Sequence, residues 1–424
     1  MALHNFRLHE AGLEIRLPSC VIIVENLPVP FDRRVWQEAL ALRQAGWTVS
    51  VICPTNDQHP LRYEVLEGIA IYRHPLAVEA RGKFAFILEY LSALFYEAYL
   101  LLKVAFTRGF DVIQVCNPPD LLFLNALPYK LFGKRLVVDH HDLCPELFEA
   151  KFGRRGLLHS ILLVAERLSL KCADLVISAN DTYREIAIRR GGKSPQEVVT
   201  VYSVPDQSGM RRVAPNPALR KGARVVLGYI GIIGDQDGLD HLVQMQSHLI
   251  NDFGRNDIRT VVVGDGPALE AARGLAYELG VAESMTFTGY LRGEELLAAL
   301  STFDIGIIPD PVNAYNDQIS MNKVFEYSAL GLPSVAYNLS ETRRLLGNGG
   351  RFADDPTPMG LARACLPLIE DDKLREECGH LAKQLAILRF DWDCERAKYL
   401  AAFANLMKSP VPAASTAKAA EKRG

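Results

Sequence analysis

The sequence predicts an α/β protein of two parallel-sheet domains, and three observations carry that expectation. Short, continuously apolar runs alternate with longer helical patterns along the first half, as strands do when helices cover both faces of a parallel sheet. The same alternation begins again after Pro205 to Gly222, an aperiodic stretch rich in Pro, Gly, Arg and Asn that reads as a linker. The composition, 49% hydrophobic and 23% charged over 424 residues, is that of a globular chain long enough for two or three domains.

In chain order, Met1 to Leu17 carries several charged residues and no apolar core of signal-peptide length, so nothing in it directs the protein out of the cytosol. Strands are predicted at Cys20–Val24, Thr48–Cys53, Ile69–Tyr72, Asp111–Val115, Arg135–Asp139, Asp174–Ser178 and Val198–Tyr202, each short and rich in Val and Ile. Phe84 to Phe106 has the length of a membrane span, but Glu89, Glu97 and Lys103 interrupt it. Each charge would cost about 2.5–3.5 kcal/mol near a bilayer centre, so the segment does not cross. It reads either as a core helix with one wet face or as a helix that shows aromatic and leucine side chains to lipid. The same two readings apply to Lys151–Val164, where three basic residues precede an apolar run.

After the linker, strands are predicted at Arg224–Ile230, Ile258–Val263, Met285–Thr288, Asp304–Ile308 and Ser334–Tyr337. Trp392 to Leu406 has the pattern of an amphipathic helix, and Ser409 to Gly424 lacks bulky apolar residues and is expected to be disordered. The expected layout is therefore a first domain over 1–205, a second over 206–390, a helix over 391–408 that returns to the first domain, and a tail over 409–424. Two such domains are expected to leave a cleft at the carboxyl ends of their strands.

Eight cysteines without a C-x-x-C pair read as buried thiols of a reducing compartment, not as a disulfide frame or zinc site. A net charge of −3 offers no basic face for nucleic acid.

The chemistry concentrates in Ser320–Pro333. A polar loop from Pro309 to Ile319 ends the preceding strand, and Lys323 and Glu326 then stand in the opening turns of a new helix. The free N–H groups of such a turn, with a lysine beside them, make an anion site. The plain alternative is a helical Lys–Glu pair worth about 0.2–0.5 kcal/mol. Upstream, Val261–Pro267 closes a strand with Gly264 and Gly266, which permit a close backbone approach or merely a tight turn. Phe287-Thr-Gly-Tyr290 ends the next strand similarly. No G-x-G-x-x-G follows the first strand, where Glu25–Pro30 stands instead, which disfavours a dinucleotide dehydrogenase.

In order and spacing, these second-half motifs, closed by Gly331-Leu-Pro-Ser-Val335, resemble the nucleotide-sugar domain of family 4 glycosyltransferases, retaining enzymes of the two-domain GT-B fold. The first half is similar in two places. Asn26–Trp36 looks like the first loop and helix of these enzymes, and Asp139-His-His-Asp-Leu-Cys-Pro-Glu146 resembles the His-Asp motif of members that elongate bacterial surface glycans. The resemblance implies two Rossmann-like domains facing across a cleft, the first for acceptor and the second for donor. It implies that Glu326 accepts hydrogen bonds from the donor ribose and Lys323 faces the diphosphate. Gly264, Asp265, Tyr290 and Leu291 would line the base pocket, with Asp317 and Asn322 also on the donor side. His141 would touch the donor sugar or departing phosphate, beside Asp142, and Asn26, Asp32, Arg33, Arg34 and Asn117 would lie on the acceptor side. A histidine satisfied inside the core is the alternative for His141.

Two departures stand out. The family pattern Glu-x7-Glu meets Gln318 at its first position, an amide that binds a sugar hydroxyl but supplies no carboxylate charge. The usual Arg and Lys after the first strand of the second domain are replaced by the acidic Gly231–Gly238. The N–H groups of Gly231 and Gly234, with Lys323 and Arg33 or Arg34, are then expected to neutralise the diphosphate. The expectation is a metal-independent hexosyl- or hexosaminyltransferase. It would use a nucleotide-sugar donor, UDP-linked, and a lipid-linked or oligosaccharide acceptor for cell-surface polysaccharide, with no cofactor. The protein would be cytoplasmic and peripheral on the inner face of the membrane. A silent nucleotide-sugar-binding partner of another glycosyltransferase, or an epimerase of the same fold, are the alternatives.

Overall fold

The computed structural model describes residues 8–10, 13–15, 17–75, 83–153, 155–206 and 209–408, with side chains from residue 17 on except those of 83–91. The expected tail over 409–424 and Arg154 lie outside the described residues.

The strands, in chain order, are β1 (Leu8–Glu10), β2 (Leu13–Ile15), β3 (Ser19–Val24), β4 (Thr48–Pro54), β5 (Tyr63–Leu66), β6 (Ile69–His74), β7 (Val112–Cys116), β8 (Arg135–His140), β9 (Leu175–Ser178), β10 (Val198–Thr200), β11 (Val225–Ile230), β12 (Ile258–Val263), β13 (Met285–Gly289), β14 (Ile305–Ile308), β15 (Ser334–Tyr337) and β16 (Gly350–Ala353). β1 and β2 form a small antiparallel pair. The others form two sheets, of order β10-β9-β8-β7-β3-β4-β6-β5 and β13-β12-β11-β14-β15-β16. Every pairing in them is parallel except β5 against β6. Strand order reverses between β3 and β7 in the first sheet and between β11 and β14 in the second. Ligands of open α/β sheets bind outside the carboxyl ends of the strands at such switch points.

Of the four edge strands of the two large sheets, β5 and β16 escaped the sequence reading. Tyr63–Leu66 alternates exposed and half-buried residues with a glutamate inside, and Gly350–Ala353 opens on glycine, so neither shows the continuous apolar run of a central strand. The central strands do show it, because they are covered on both faces. Val21 and Ile23, Ile113 and Val115, and Leu136 and Val138 alternate onto one face and pack with Leu100, Leu101 and Val104 of the Lys83–Thr107 helix.

The chain divides into two compact units, and the division is not sequential. The first comprises 1–144, 160–201 and 396–424, and the second 145–159 and 202–395. The Trp392–Lys408 helix therefore begins in the second unit and continues in the first. There Phe403 is fully buried, with its ring 5.5 Å from Trp47 and 4.7 Å from Tyr399, and the Tyr399 hydroxyl donates to Gln114 Oε1 at 2.7 Å.

The Lys83–Thr107 helix buries one apolar face and exposes another. Phe95, Tyr99, Leu102 and Phe106 are all exposed, Phe106 to 79%, and their spacing puts them on a single stripe. Leu157, Ile161, Val164 and Leu168 form a second exposed stripe of the same spacing on the Leu157–Cys172 helix. Among the described residues, no helix is long and apolar enough to cross a membrane.

Candidate active site

In the second unit, the candidate site gathers at the carboxyl ends of β11 and β14. The Asn322–Leu330 helix follows β14, and Tyr327 fixes where it lies. Gly306 has no side chain where Tyr327 packs, since a Cβ there would come within 2.4 Å of its ring. The Tyr327 hydroxyl consequently reaches β11, donating to Gly228 O and accepting from Ile230 N–H, each at 3.1 Å. The amino end of this helix has Met321 at its cap position with no side-chain hydrogen bond, which leaves main-chain N–H groups for an anion.

Lys323 stands in that first turn, buried, with Nζ 2.7 Å from Asp310 Oδ2 and 4.8 Å from the centre of the Tyr229 ring. Burial works against its charge, but Asp310, Tyr229 and Asp237 outweigh it and hold Lys323 above the ordinary lysine range. An ammonium has three donors, of which Asp310 takes one and Tyr229 engages another. Burial pushes the Asp237 carboxyl up, with Lys323 partly offsetting it. Asp310 and Asp237 were not singled out in the sequence. The only signal for Asp310 was its place directly after a strand that ends at the switch point.

Several expected donor groups are already engaged. Gly231 N–H donates to Val263 O at 3.2 Å, and Gly234 N–H to Asp237 Oδ2 at 2.8 Å, so the expectation that these two amides neutralise a diphosphate is corrected. Gly264 and Gly266 have φ of 142° and 155°, and a Cβ on them would lie 1.9 Å from Gly231 O and 2.4 Å from Ile233 O. They are glycines because the Gly231–Ile233 main chain presses on them, a close approach within the protein itself. Asp265 is exposed and accepts at Oδ1 from Gly266 N–H. Tyr290 is 48% exposed and Leu291 half-buried at the end of β13. Asp317 Oδ1 accepts from Ser340 N–H at 2.6 Å, which ties the loop to the next helix. The Gln318 amide is turned back to Ala314 O at 2.6 Å. Asn322 is exposed, and Glu326 is buried one turn beyond Lys323.

The first unit holds a second cluster at the carboxyl ends of β7 and β8. Asp139, fully buried, accepts from Arg34 Nη2 at 2.7 Å and Nε at 3.2 Å. His141 Nε2 lies 2.6 Å from Asp139 Oδ2, with the side chain 14% exposed. Burial opposes the Asp139 charge, but Arg34 and His141 overcome this and hold its carboxyl well below the usual range. An ionised carboxylate only accepts, so the Nε2 that faces it carries a proton. Glu38 shares Arg34 at 3.3 Å and takes a hydrogen bond from Gln114 at 2.7 Å. Burial, and then the Asp139 charge, push its carboxyl well up.

Arg34 completes its set with Nη1 to Val201 O at 2.7 Å. Its assignment to the acceptor side or to a diphosphate is therefore corrected: the guanidinium is a buried counter-charge to Asp139. Asp32 is the N-cap of the Arg33–Gln44 helix, accepting from Val35 N–H at 3.0 Å. Asn117 is also structural, with Oδ1 accepting from His141 N–H at 2.6 Å and Asp142 N–H at 3.2 Å while Nδ2 donates to Asp142 O at 2.7 Å. That brace turns the chain after β8 and presents His141 and Asp142, both half-buried. Asn26 is exposed and Arg33 half-buried. Cys116, Asp139 and His141 each bring a ligand atom within 4.8 Å of the others. The Arg34 guanidinium on the same carboxylate, and a Cys116 thiol that burial pushes well up, both oppose a cation there.

Comparison with known proteins bears on the family and the fold. Residues 32–203 match the model of the glycosyl transferase 4-like domain, and residues 224–371 that of glycosyl transferases group 1. A 2-deoxystreptamine glucosyltransferase of Streptomyces kanamyceticus is 26% identical over 274 residues, 59% of this chain and 70% of that protein. A chitobiosyldiphosphodolichol beta-mannosyltransferase of Candida glabrata is 22% identical over 351 residues, 76% of this chain and 77% of that protein. Among solved structures, the sucrose-phosphate synthase of Thermosynechococcus elongatus superposes with a TM-score of 0.74 at 16% identity, covering 92% of this chain and 99% of its own. The Anabaena HepE protein in complex with UDP superposes with a TM-score of 0.65 at 15% identity, covering 92% and 100%. With both domain models matched in order and the two parallel sheets in place, the chain belongs to the family 4 glycosyltransferases of the GT-B fold.

Proposed function

We propose that this glycosyltransferase moves a hexosyl or hexosaminyl group from a UDP-linked donor to a hydroxyl of a lipid-linked or oligosaccharide acceptor, with retention of configuration and without a metal or cofactor. The observation that carries the proposal is Lys323, buried at the β11/β14 switch point in the first turn of a helix with no side-chain cap. Its charge and the uncapped amides suit the two phosphates of a leaving nucleotide, where most of the charge of the transition state develops. Glu326, one turn along, would accept from the ribose hydroxyls. The bond from C1 to the diphosphate breaks and a bond from C1 to the acceptor oxygen forms on the same face. The acceptor proton passes to the departing phosphate oxygen. His141, with a proton held on Nε2 by Asp139, would present Nδ1 to a sugar hydroxyl.

A lipid-linked acceptor agrees with the two exposed apolar stripes, which lie in the first unit except for Leu157 and would rest on the cytoplasmic face of a membrane. A second reading, a silent partner that binds nucleotide sugar, draws on Gln318, whose amide is spent on Ala314 O. Incubation with a panel of nucleotide sugars, following both nucleotide release and transfer to lipid and oligosaccharide acceptors, separates the two. Turnover with a UDP-sugar is expected; binding of UDP-sugars with neither hydrolysis nor transfer would establish the silent partner instead.

A further inference from the structure

At the opposite, amino-terminal edge of the second sheet lies a cleft of about 650 Å³, lined by the linker at Met210–Arg212, the turns entering β14 and β15, and the Asp372–Arg389 helix. Its floor is the carboxyl end of the Asn322–Leu330 helix. Arg212 donates to Leu330 O at 2.9 Å and to Ser301 O at 3.3 Å, and Lys383 donates to Ala329 O. Cations at a helix carboxyl end are ordinary capping. Here two converge on one end, and all their hydrogen bonds go to main-chain carbonyls. The acid nearest Arg212, Asp304, is committed to Arg220 and to Val226 N–H at 2.7 Å.

Basic groups therefore outnumber acidic ones here, with Arg211, Arg212, Arg375 and Lys383 lining the cleft against Asp304 and Glu376. Burial lowers Arg212 and Lys383 below their ordinary ranges, and for Lys383 the neighbouring Arg212 adds to it. Arg375, on the same wall, donates to Leu368 O and to Asp372, and His380 stands exposed at the rim. The volume falls in the range of small-ligand sites. Convergent, partly desolvated Arg and Lys donors suit a multivalent oxyanion better than a neutral sugar.

We propose that this cleft is a second ligand site that binds a phosphate monoester of sugar-phosphate size, separate from the Lys323 site. An occupant would tie the linker to the two helices that form the floor and wall. The site lies on the far edge of the sheet from Lys323, so it does not depend on the donor assignment.

The probe is glucose 6-phosphate, titrated into the full chain by calorimetry at constant ionic strength, with glucose as the uncharged control. Saturable binding of glucose 6-phosphate and none of glucose is expected. Affinity should fall at least tenfold in Lys383→Gln and in His380→Glu, and should be unchanged in Lys323→Ala. His380→Glu sets a carboxylate at the exposed rim without touching the carbonyl network, so it serves even where Lys383→Gln folds poorly. Absence of binding to the wild type, equal binding of glucose, unchanged affinity in His380→Glu, or loss of binding in Lys323→Ala would each overturn the proposal.

Discussion

At the residue scale, both clusters hold charge by pairing it, and the pairings have measurable consequences. Lys323→Ala should weaken UDP by about tenfold or more and leave uridine nearly unaffected, because only UDP places diphosphate charge against the ammonium. Equal weakening of both ligands, read by calorimetry, would reduce Lys323 to a partner of Asp310. Arg34→Ala should cost about 3–5 kcal/mol of unfolding free energy, since it leaves the Asp139 carboxylate buried without its guanidinium. Denaturant melts check this. Asp120 behaves oppositely to Asp139: burial pushes its carboxyl from 3.8 up to about 6, against the lowering effect of nearby His140 and of hydrogen bonds from Cys144 and Asn117. Between about pH 4 and pH 6 the native state therefore holds a proton that the unfolded state has lost, and stability falls as pH rises through this window. The span corresponds to roughly 3 kcal/mol. Asp120→Asn should flatten that part of the stability–pH curve, and an unchanged slope would show that another group titrates there.

At the element scale, the helices show why periodicity alone left two readings open. The Lys83–Thr107 and Leu157–Cys172 helices each have a buried face and an exposed apolar stripe, so one apolar-rich sequence writes both faces. Apolar stripes on the surface mark contact surfaces. Vesicle sedimentation tests the docking expected for a lipid-linked acceptor. The wild type should pellet with vesicles containing anionic lipid, and Phe95→Ser with Phe106→Ser should release it without lowering the melting temperature, because both side chains point outward. A wild type that stays in solution would leave the stripes without a membrane role and favour an oligosaccharide acceptor. The Asn322–Leu330 helix shows the converse case: its sequence marked the site, while its placement rests on Tyr327 filling the space that Gly306 leaves open.

At the scale of the whole molecule, the chain crosses between its two units more than once, and the last crossing lies within a single helix. Phe403 anchors that helix in the first unit, so Phe403→Ala should cost about 3–5 kcal/mol of unfolding free energy, and an exposed-residue change such as Met407→Ala far less. By itself the sequence determined the two parallel sheets, the positions of nearly all central strands and the neighbourhoods of Lys323 and His141. Burial on both faces writes a continuous apolar run into a strand, and loops at strand ends carry the polar residues. Only the tertiary structure decided which polar groups were still available. Arg34, Asp32, Asn117, Gly231 and Gly234 all lie in the expected motifs, but their hydrogen bonds are taken by Asp139, Val35, His141, Val263 and Asp237. Three of those five partners lie between 24 and 105 residues away, and the other two, Val35 and Asp237, lie three residues from Asp32 and Gly234. A motif shows which residue types stand together along the chain; whether a donor faces a ligand or a neighbour is set by contacts that the fold creates between distant segments.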